Sequence, residues 1–194
     1  MENTEENIDE DKKKSTSKNI ENPNTLKQEI LAGKIFIYPT DTIYGLGCNA
    51  LDEQAVNKIK AIKSRDENKP ISIIAPNIAW ILENFRTKEE ELERYIPGPY
   101  TILLKKRDAN FMNWISSNDR IGVRVPSHDF CFKIQESGVP FVTTSVNQSG
   151  EPPIKKISEI KEEIKSQVDH IIDHGELNNP PSTLIIDGKP LERK

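Results

Sequence analysis

The sequence has little of what usually marks a specialised class of protein. Its 194 residues contain two cysteines, Cys48 and Cys131, too few and too far apart for a disulfide or zinc framework. That usage points to reduced thiols and a cytoplasmic protein. No apolar run approaches the ~20 residues of a membrane helix. The first 22 residues have neither the apolar stretch of a secretory leader nor the arginine-rich, acid-poor make-up of a transit peptide. Strong positive charge is also missing: Lys and Arg number 27 against 31 Asp and Glu. Residues 1–22 hold seven acids and four bases, which leaves the remainder almost neutral, with 24 acids and 23 bases. Such a balance argues against a dedicated nucleic-acid binder, so any anion site has to come from local clustering. There is no Walker loop, dinucleotide fingerprint, nucleophile elbow or convincing Ser-His-Asp arrangement. His170 and His174 are four apart, which suits a metal only on a helix, and "HIIDHG" reads as a strand and a turn. No metal site is expected there.

What the chain does contain is alternation. After a polar stretch expected to be a disordered tail, residues 1–22, helix and strand signals follow one another through a folded domain, residues 23–194. Asn24 is predicted to cap a helix, "TLKQEILA", ended by Gly33. A strand over 34–38 precedes a polar loop, and Ala55, Val56, Ile59 and Ile62 have helical spacing. "ISIIA", "YTILLKK", "RIGVRV", "PFVTTS", "HIID", "STLIID" and "LER" read as strands. "IAWILENF", "EEELERYI", "DFCFKIQES" and "SEIKEEIKSQV" read as helices, the last capped by Ser158. His128 is expected to cap or flank a helix, and Trp80 and Trp114 to pack. The expected class is α/β or mixed α+β, with one mixed sheet.

Four polar clusters stand at the ends of apolar strands: "PTDTIYGLG", "KSRDENKP", "GVRVP" and "TTSVNQSG". Strand ends in such proteins are where ligand loops gather. Lys63 and Arg65 are two apart, so in an extended segment they face one way and can converge on an anion. Lysine brings a compact charge and arginine a planar fork, a pair suited to polyphosphate. Taken alone, a Lys-x-Arg is most often a solvated turn. Ser145 and Asn147 offer neutral donors and acceptors, although "NQSGEPP" would also satisfy itself as a turn.

In combination the clusters are specific. "YPTDTIYGLGCNA", "KSRDENKPISIIA", "PGPYTILLKK", "IGVRVP", "PFVTTSVNQSGEPP" and "PSTLIID" occur in the order found in the YrdC family of threonylcarbamoyl-AMP synthases, which the chain resembles from residue 24 to about 193. It looks like the short, single-domain form. The resemblance implies a YrdC-like twisted mixed sheet flanked by helices around a large concave, positively lined cavity. It further implies that L-threonine, bicarbonate and ATP give threonylcarbamoyl-adenylate and pyrophosphate, with Mg²⁺ accompanying ATP. Downstream transferase proteins would then pass the threonylcarbamoyl group to an adenosine beside the anticodon of ANN-decoding tRNAs. Carried over by residue, Lys63, Arg65, Lys69, Ser145, Asn147 and Arg193 match ATP-binding positions. Thr42, Arg124 and Ser182 match threonine-binding ones, with Arg124 at a carboxylate or carbamate. Lys63, Arg65 and Arg124 are the residues expected to serve the chemistry. One departure stands out: some relatives carry a histidine where this chain has Ile74.

The implied reaction agrees with the inventory of residues. A carbamate formed from threonine's amine and bicarbonate attacks the α-phosphate and expels pyrophosphate. It needs no protein nucleophile, only cations that hold three anions together. Two other classes compete. One is a noncatalytic RNA-binding module, against which the neutral charge counts. The other is a carbamoyl-transfer domain for metalloenzyme maturation, which lacks its accompanying zinc-finger and acylphosphatase-like segments here.

Overall fold

The structure, a computed structural model, describes Ile20 and residues 22–64, 70–148 and 150–191. Helix α1 runs from Pro23 to Leu31 and its cap is Asn22, whose side chain accepts the Asn24 N–H at 3.0 Å. The cap expected at Asn24 is displaced because Pro23 occupies the first helical position, where a missing N–H costs nothing. Ile20 is also buried, packed with Leu26 and Ile30. Ordered packing thus reaches back into the segment read as a tail, whose residues 1–19 and 21 lie outside those described.

Strand β1 (Phe36–Tyr38) returns antiparallel as β2 (Gly45–Gly47). The polar loop expected after β1 gives way at Gly45–Gly47 to a strand. A Cβ at Gly47 would stand 2.1 Å from the Val142 carbonyl oxygen, so close strand approach is what glycine provides here. Helix α2 (Glu53–Ile62) is capped by Asp52, and its Ala55, Val56, Ile59 and Ile62 are buried, as their spacing requires. There follow β3 (Ser72–Ile74), α3 (Ile78–Asn84), α4 (Glu89–Leu92), β4 (Tyr100–Lys105), β5 (Arg120–Arg124), α5 (Asp129–Gln135) and β6 (Phe141–Ser145). The helix expected at "SEIKEEIKSQV" is broken. A 3₁₀ turn covers Ile157–Glu159, Ile160 is extended, and α6 spans only Glu162–Lys165. Glu159 accepts the N–H groups of Lys155 and Lys156, which closes the first turn on itself. Strands β7 (His170–Ile171), β8 (Thr183–Ile186) and β9 (Lys189–Leu191) finish the chain.

The strands form one mixed sheet in the order β7-β1-β2-β6-β3-β5-β4-β8-β9. One apolar cluster, with Ile37, Leu46, Ile59, Ile73, Val123 and Val142, covers one face. A second, with Leu26, Ile30, Phe36, Tyr38, Ile74, Phe130 and Phe141, covers part of the other. Both clusters draw on β1, β3 and β6, because successive strand residues point to opposite faces. Along β6 the second face reads Phe141, Thr143, Ser145, and along β3 it reads Ile74 and Ser72. That face therefore has an apolar end and a hydroxyl end. Among the described residues no helix is long and apolar enough to cross a membrane.

Candidate functional site

At the hydroxyl end lies a cavity of about 190 Å³ lined by Ser72, Thr101, Thr143, Ser145 and Ser182, with Tyr44 and Arg124 at its wall. Its floor is the sheet, with loop residues Ile43, Tyr44, Pro70 and Pro181 completing the lining. Gly122, beside Ser72 and Thr101, keeps that floor open: a Cβ there would meet the Ser72 hydroxyl at 2.5 Å and the Thr101 methyl at 3.0 Å. Thr101 and Ser182 share a hydrogen bond of 2.7 Å, and both are buried. Motif spacing alone does not mark the strand hydroxyls of Ser72, Thr101 and Thr143. In β6 their signal was the alternation Phe141, Thr143, Ser145 within "FVTTS".

Arg124 ends β5 and is 6% exposed. Its Nη2 donates to Asp41 Oδ1 at 2.8 Å and to Thr42 Oγ1 at 3.1 Å. The Nε–H is buried and has no acceptor among the described residues. A buried donor left unpaired costs about 1–3 kcal/mol, and such a group is explained when a ligand takes it. The loop before β2 is built to hold this arginine. Thr40 donates its hydroxyl hydrogen to the Ile43 carbonyl at 2.7 Å and lies 3.0 Å from the Thr42 hydroxyl. With the Thr40 hydrogen committed, Thr42 donates to Thr40 and keeps its lone pairs as acceptors. Tyr44 closes the same corner. Its hydroxyl donates to the Gly175 carbonyl at 2.7 Å and accepts the His174 N–H at 3.0 Å, and burial pushes its pKa up.

Lys63 follows α2 and is 2% exposed, which removes the solvated-turn reading for this residue. Its ammonium donates to the carbonyl of Ser145, to the carbonyl of Asn147 at 2.8 Å and to Asn147 Oδ1 at 3.0 Å. Ser145 also donates to Asn147 Oδ1, and Asn147 donates to the Glu151 carbonyl. The spaced pair Ser145 and Asn147 is thus one hydrogen-bonded knot wrapped on Lys63. Asn147 lines a second cavity of about 340 Å³, with Val146, Pro152, Ile154 and Lys161. Of the cations expected to give the concavity a positive lining, Arg124 lines the first cavity and Lys63 sits behind the Ser145–Asn147 segment. Arg65, Lys69 and Arg193 lie outside the described residues.

The structure therefore brings Thr42, Arg124, Ser145 and Ser182 to one place, and joins Lys63 to Asn147 beside it. Ile74, at the position of some relatives' histidine, is 1% exposed and packs into the second apolar cluster rather than on the cavity. His170 pairs with Glu29 at 2.8 Å, while His174 stands edge-on to His128, ring centroids 4.8 Å apart. Cys48 and Cys131 are free and buried, and burial raises both thiol pKa values. Trp80 packs against Phe85 and Phe111, and Trp114 donates to the Ala50 carbonyl.

Residues 28–192 match the Sua5/YciO/YrdC family, described as Telomere recombination. A relative from Methanocaldococcus jannaschii is 40% identical over 164 residues, 82% of this chain and 77% of that protein. The threonylcarbamoyl-AMP synthase of Pseudoalteromonas atlantica is 36% identical over 151 residues, 72% of this chain and 79% of its own. P. abyssi Sua5, solved in complex with L-threonine, is 32% identical and superposes with a TM-score of 0.76. The superposition covers 86% of this chain, which spans about half of that protein, 51%. The twisted mixed sheet with its flanking helices is common to both. By matched sequence and shared fold, this chain belongs to the Sua5/YciO/YrdC family.

Proposed function

We infer that this protein makes threonylcarbamoyl-AMP and pyrophosphate from L-threonine, bicarbonate and ATP, the activated group being destined for threonylcarbamoyladenosine in tRNA. The observation that carries the reading is Arg124: a buried guanidinium at the wall of a small hydroxyl-lined cavity, with a buried N–H that has no acceptor among the described residues. About 190 Å³ is below the ~300 Å³ at which pockets for larger ligands begin, so the space suits an amino acid and not a nucleotide. In this reading Arg124 takes the threonine carboxylate. Thr42, held as an acceptor, faces the amine, and the Thr101–Ser182 hydroxyls complete the neutral contacts.

The amine adds to bicarbonate with loss of water, and the resulting carbamate oxygen attacks the α-phosphorus of ATP. The new O–P bond replaces the bond to pyrophosphate, which leaves with Mg²⁺. The metal enters as part of the MgATP substrate, because Mg²⁺ is commonly held by substrate phosphates and a few waters. Lys63 keeps the Ser145–Asn147 knot in shape beside the triphosphate, Arg65 and Lys69 add charge, and Arg193 closes on the nucleotide. The more apolar second cavity takes the adenine. Fixed cations placed where charge develops act without reorganising during the step. A cytoplasmic location follows from the need for ATP and tRNA, with partner transferases downstream.

Pyrophosphate release from ATP tests the reading. Release that requires both L-threonine and bicarbonate is expected. Release supported by carbamoyl phosphate instead, or RNA binding without turnover, would transfer the protein to another class.

A further inference from the structure

Asp41 has no part in the chemistry above, yet it is firmly tied at both carboxylate oxygens and at its carbonyl. Its side chain is 9% exposed and forms an ion pair with Arg124 at 2.8 Å. Its second carboxylate oxygen, Oδ2, accepts the Ser127 N–H at 2.9 Å, and its backbone carbonyl accepts the Asn179 side-chain amide at 2.9 Å. One residue thus joins three segments: the loop between β1 and β2, the exit of β5, and the stretch that leads to Ser182.

We propose that Asp41 is a positioning residue, which holds Arg124 by Nη2 so that the rest of the guanidinium is left for the carboxylate of the substrate. The inference rests on the assignment of Arg124 to that carboxylate. A free arginine side chain distributes itself over many rotamers, and selecting one costs conformational entropy. Here the selection is made before substrate arrives. Thr42 alone would supply only a neutral bond to the same nitrogen. Asp41 adds charge, and its second oxygen fixes the carboxylate to the backbone three residues beyond Arg124, so arginine and anchor cannot move independently. Asp41 and Thr42 accept from Nη2, and the buried Nε–H has no acceptor among the described residues.

The chemistry requires aspartate and not asparagine. Each carboxylate oxygen accepts from one N–H donor, Arg124 or Ser127. An asparagine has one carbonyl oxygen, so its NH₂ would confront the other donor. Asp41→Asn should therefore free either the arginine or the anchor while it barely changes volume.

Calorimetric titration of the full chain with L-threonine and with L-threoninamide, which lacks the negative carboxylate, provides the test. Wild type should prefer threonine. Asp41→Asn should lose about ten- to a hundredfold in threonine affinity, the value of one charge-assisted contact, with threoninamide affinity and the KM for ATP nearly unchanged. In an Arg124→Lys background, Asp41→Asn should add almost nothing, since residues acting through one contact are not additive. If wild type does not distinguish the two ligands, the assignment of Arg124 fails, and with it the role of Asp41. If wild type does distinguish them and Asp41→Asn keeps the full preference, Asp41 is not a positioning residue. Equal loss for both ligands with a lowered Tm assigns it a structural role and also overturns the proposal. Asp41→Ser, which brings no amide donor against Ser127, is read in the same way should the asparagine variant fail to fold.

Discussion

Arg124 and Lys63 are both nearly inaccessible cations beside strands of one sheet, yet their partners differ in kind. Lys63 is enclosed by acceptors from its own chain, two carbonyls and an amide oxygen of the Ser145–Asn147 segment. Arg124 is neutralised by one carboxylate and keeps a buried donor that is unmatched among the described residues. A buried charge is costly in either case. Where the protein provides a cage of acceptors, the charge organises the protein. Where it stops short, the remaining donor is matched by what binds. The lysine thus shapes a loop, and in the proposed reading the arginine reads a ligand, although both came from motifs that suggested direct contact with substrate.

The strongest way to break this contrast is Arg124→Ala. It would leave the Asp41 carboxylate buried without its cation, a change expected to cost about 3–5 kcal/mol. Threonine-dependent turnover should disappear with it. Arg124→Lys separates the two effects: the charge stays, so most of the stability should return, but an ammonium cannot reproduce the planar fork. Threonine affinity should remain about ten- to a hundredfold down. Thermal melts beside threonine titrations decide it. A lysine variant with native affinity would mean that Arg124 contributes charge alone.

Lys63→Met is the converse. It keeps the apolar stem and removes the ammonium, leaving buried acceptors unpaired at about 1–3 kcal/mol. Stability should fall first, ATP affinity should weaken as the Ser145–Asn147 knot loosens, and threonine affinity should change least. This differs from what Lys-x-Arg implies when read as a simple clamp, where replacement leaves the fold intact. Unchanged Tm with lost ATP binding would restore the clamp.

Local patterns carried much of this structure. Helical spacing of Val56 and Ile59 marked α2, and alternation marked β4. Arg124, Ser145 and Ser182, nominated by motif, line one cavity, and Thr42 bonds Arg124 beside it. What stayed hidden was tertiary. Asp41 stood in a quoted motif, but its partner is 83 residues away, and no periodicity links the two. Gly45 and Gly47 looked like a loop because glycine is rare in strands; the carbonyl of Val142, which excludes a side chain at Gly47, is visible only once β6 is laid beside β2. The broken helix at Ile160 had good helical periodicity, and the competing contact, Glu159 turned back on the N–H groups of Lys155 and Lys156, is invisible to a hydrophobic pattern.

The smallest expected effect separates the two sides of the cavity by pH. His128 sits four residues beyond Arg124 and caps α5, its Nδ1 accepting the Phe130 N–H at 3.1 Å. That role requires an unprotonated nitrogen. Burial lowers its pKa below the ordinary 6.5, and the nearby His174 lowers it further, while Asp129 and Asp41 act in the opposite direction. A histidine with a depressed folded-state pKa takes up its proton more readily when unfolded. Stability is therefore highest above about pH 6.5, the unfolded value, and declines as pH falls through it towards the folded pKa. His174 belongs to the stretch that bonds Tyr44, and Asn179 of the same stretch bonds Asp41. Mild acid should therefore loosen the Arg124 side and spare the Lys63 knot. Asparagine is also a good helix cap, so His128→Asn should keep α5 and flatten the decline in Tm between about pH 6.5 and 5, a window above ordinary carboxylate titration. Threonine affinity in wild type should follow the same curve, with ATP affinity lagging behind it. A variant whose Tm declines as steeply as wild type would remove His128 from the account of how this corner responds to acid.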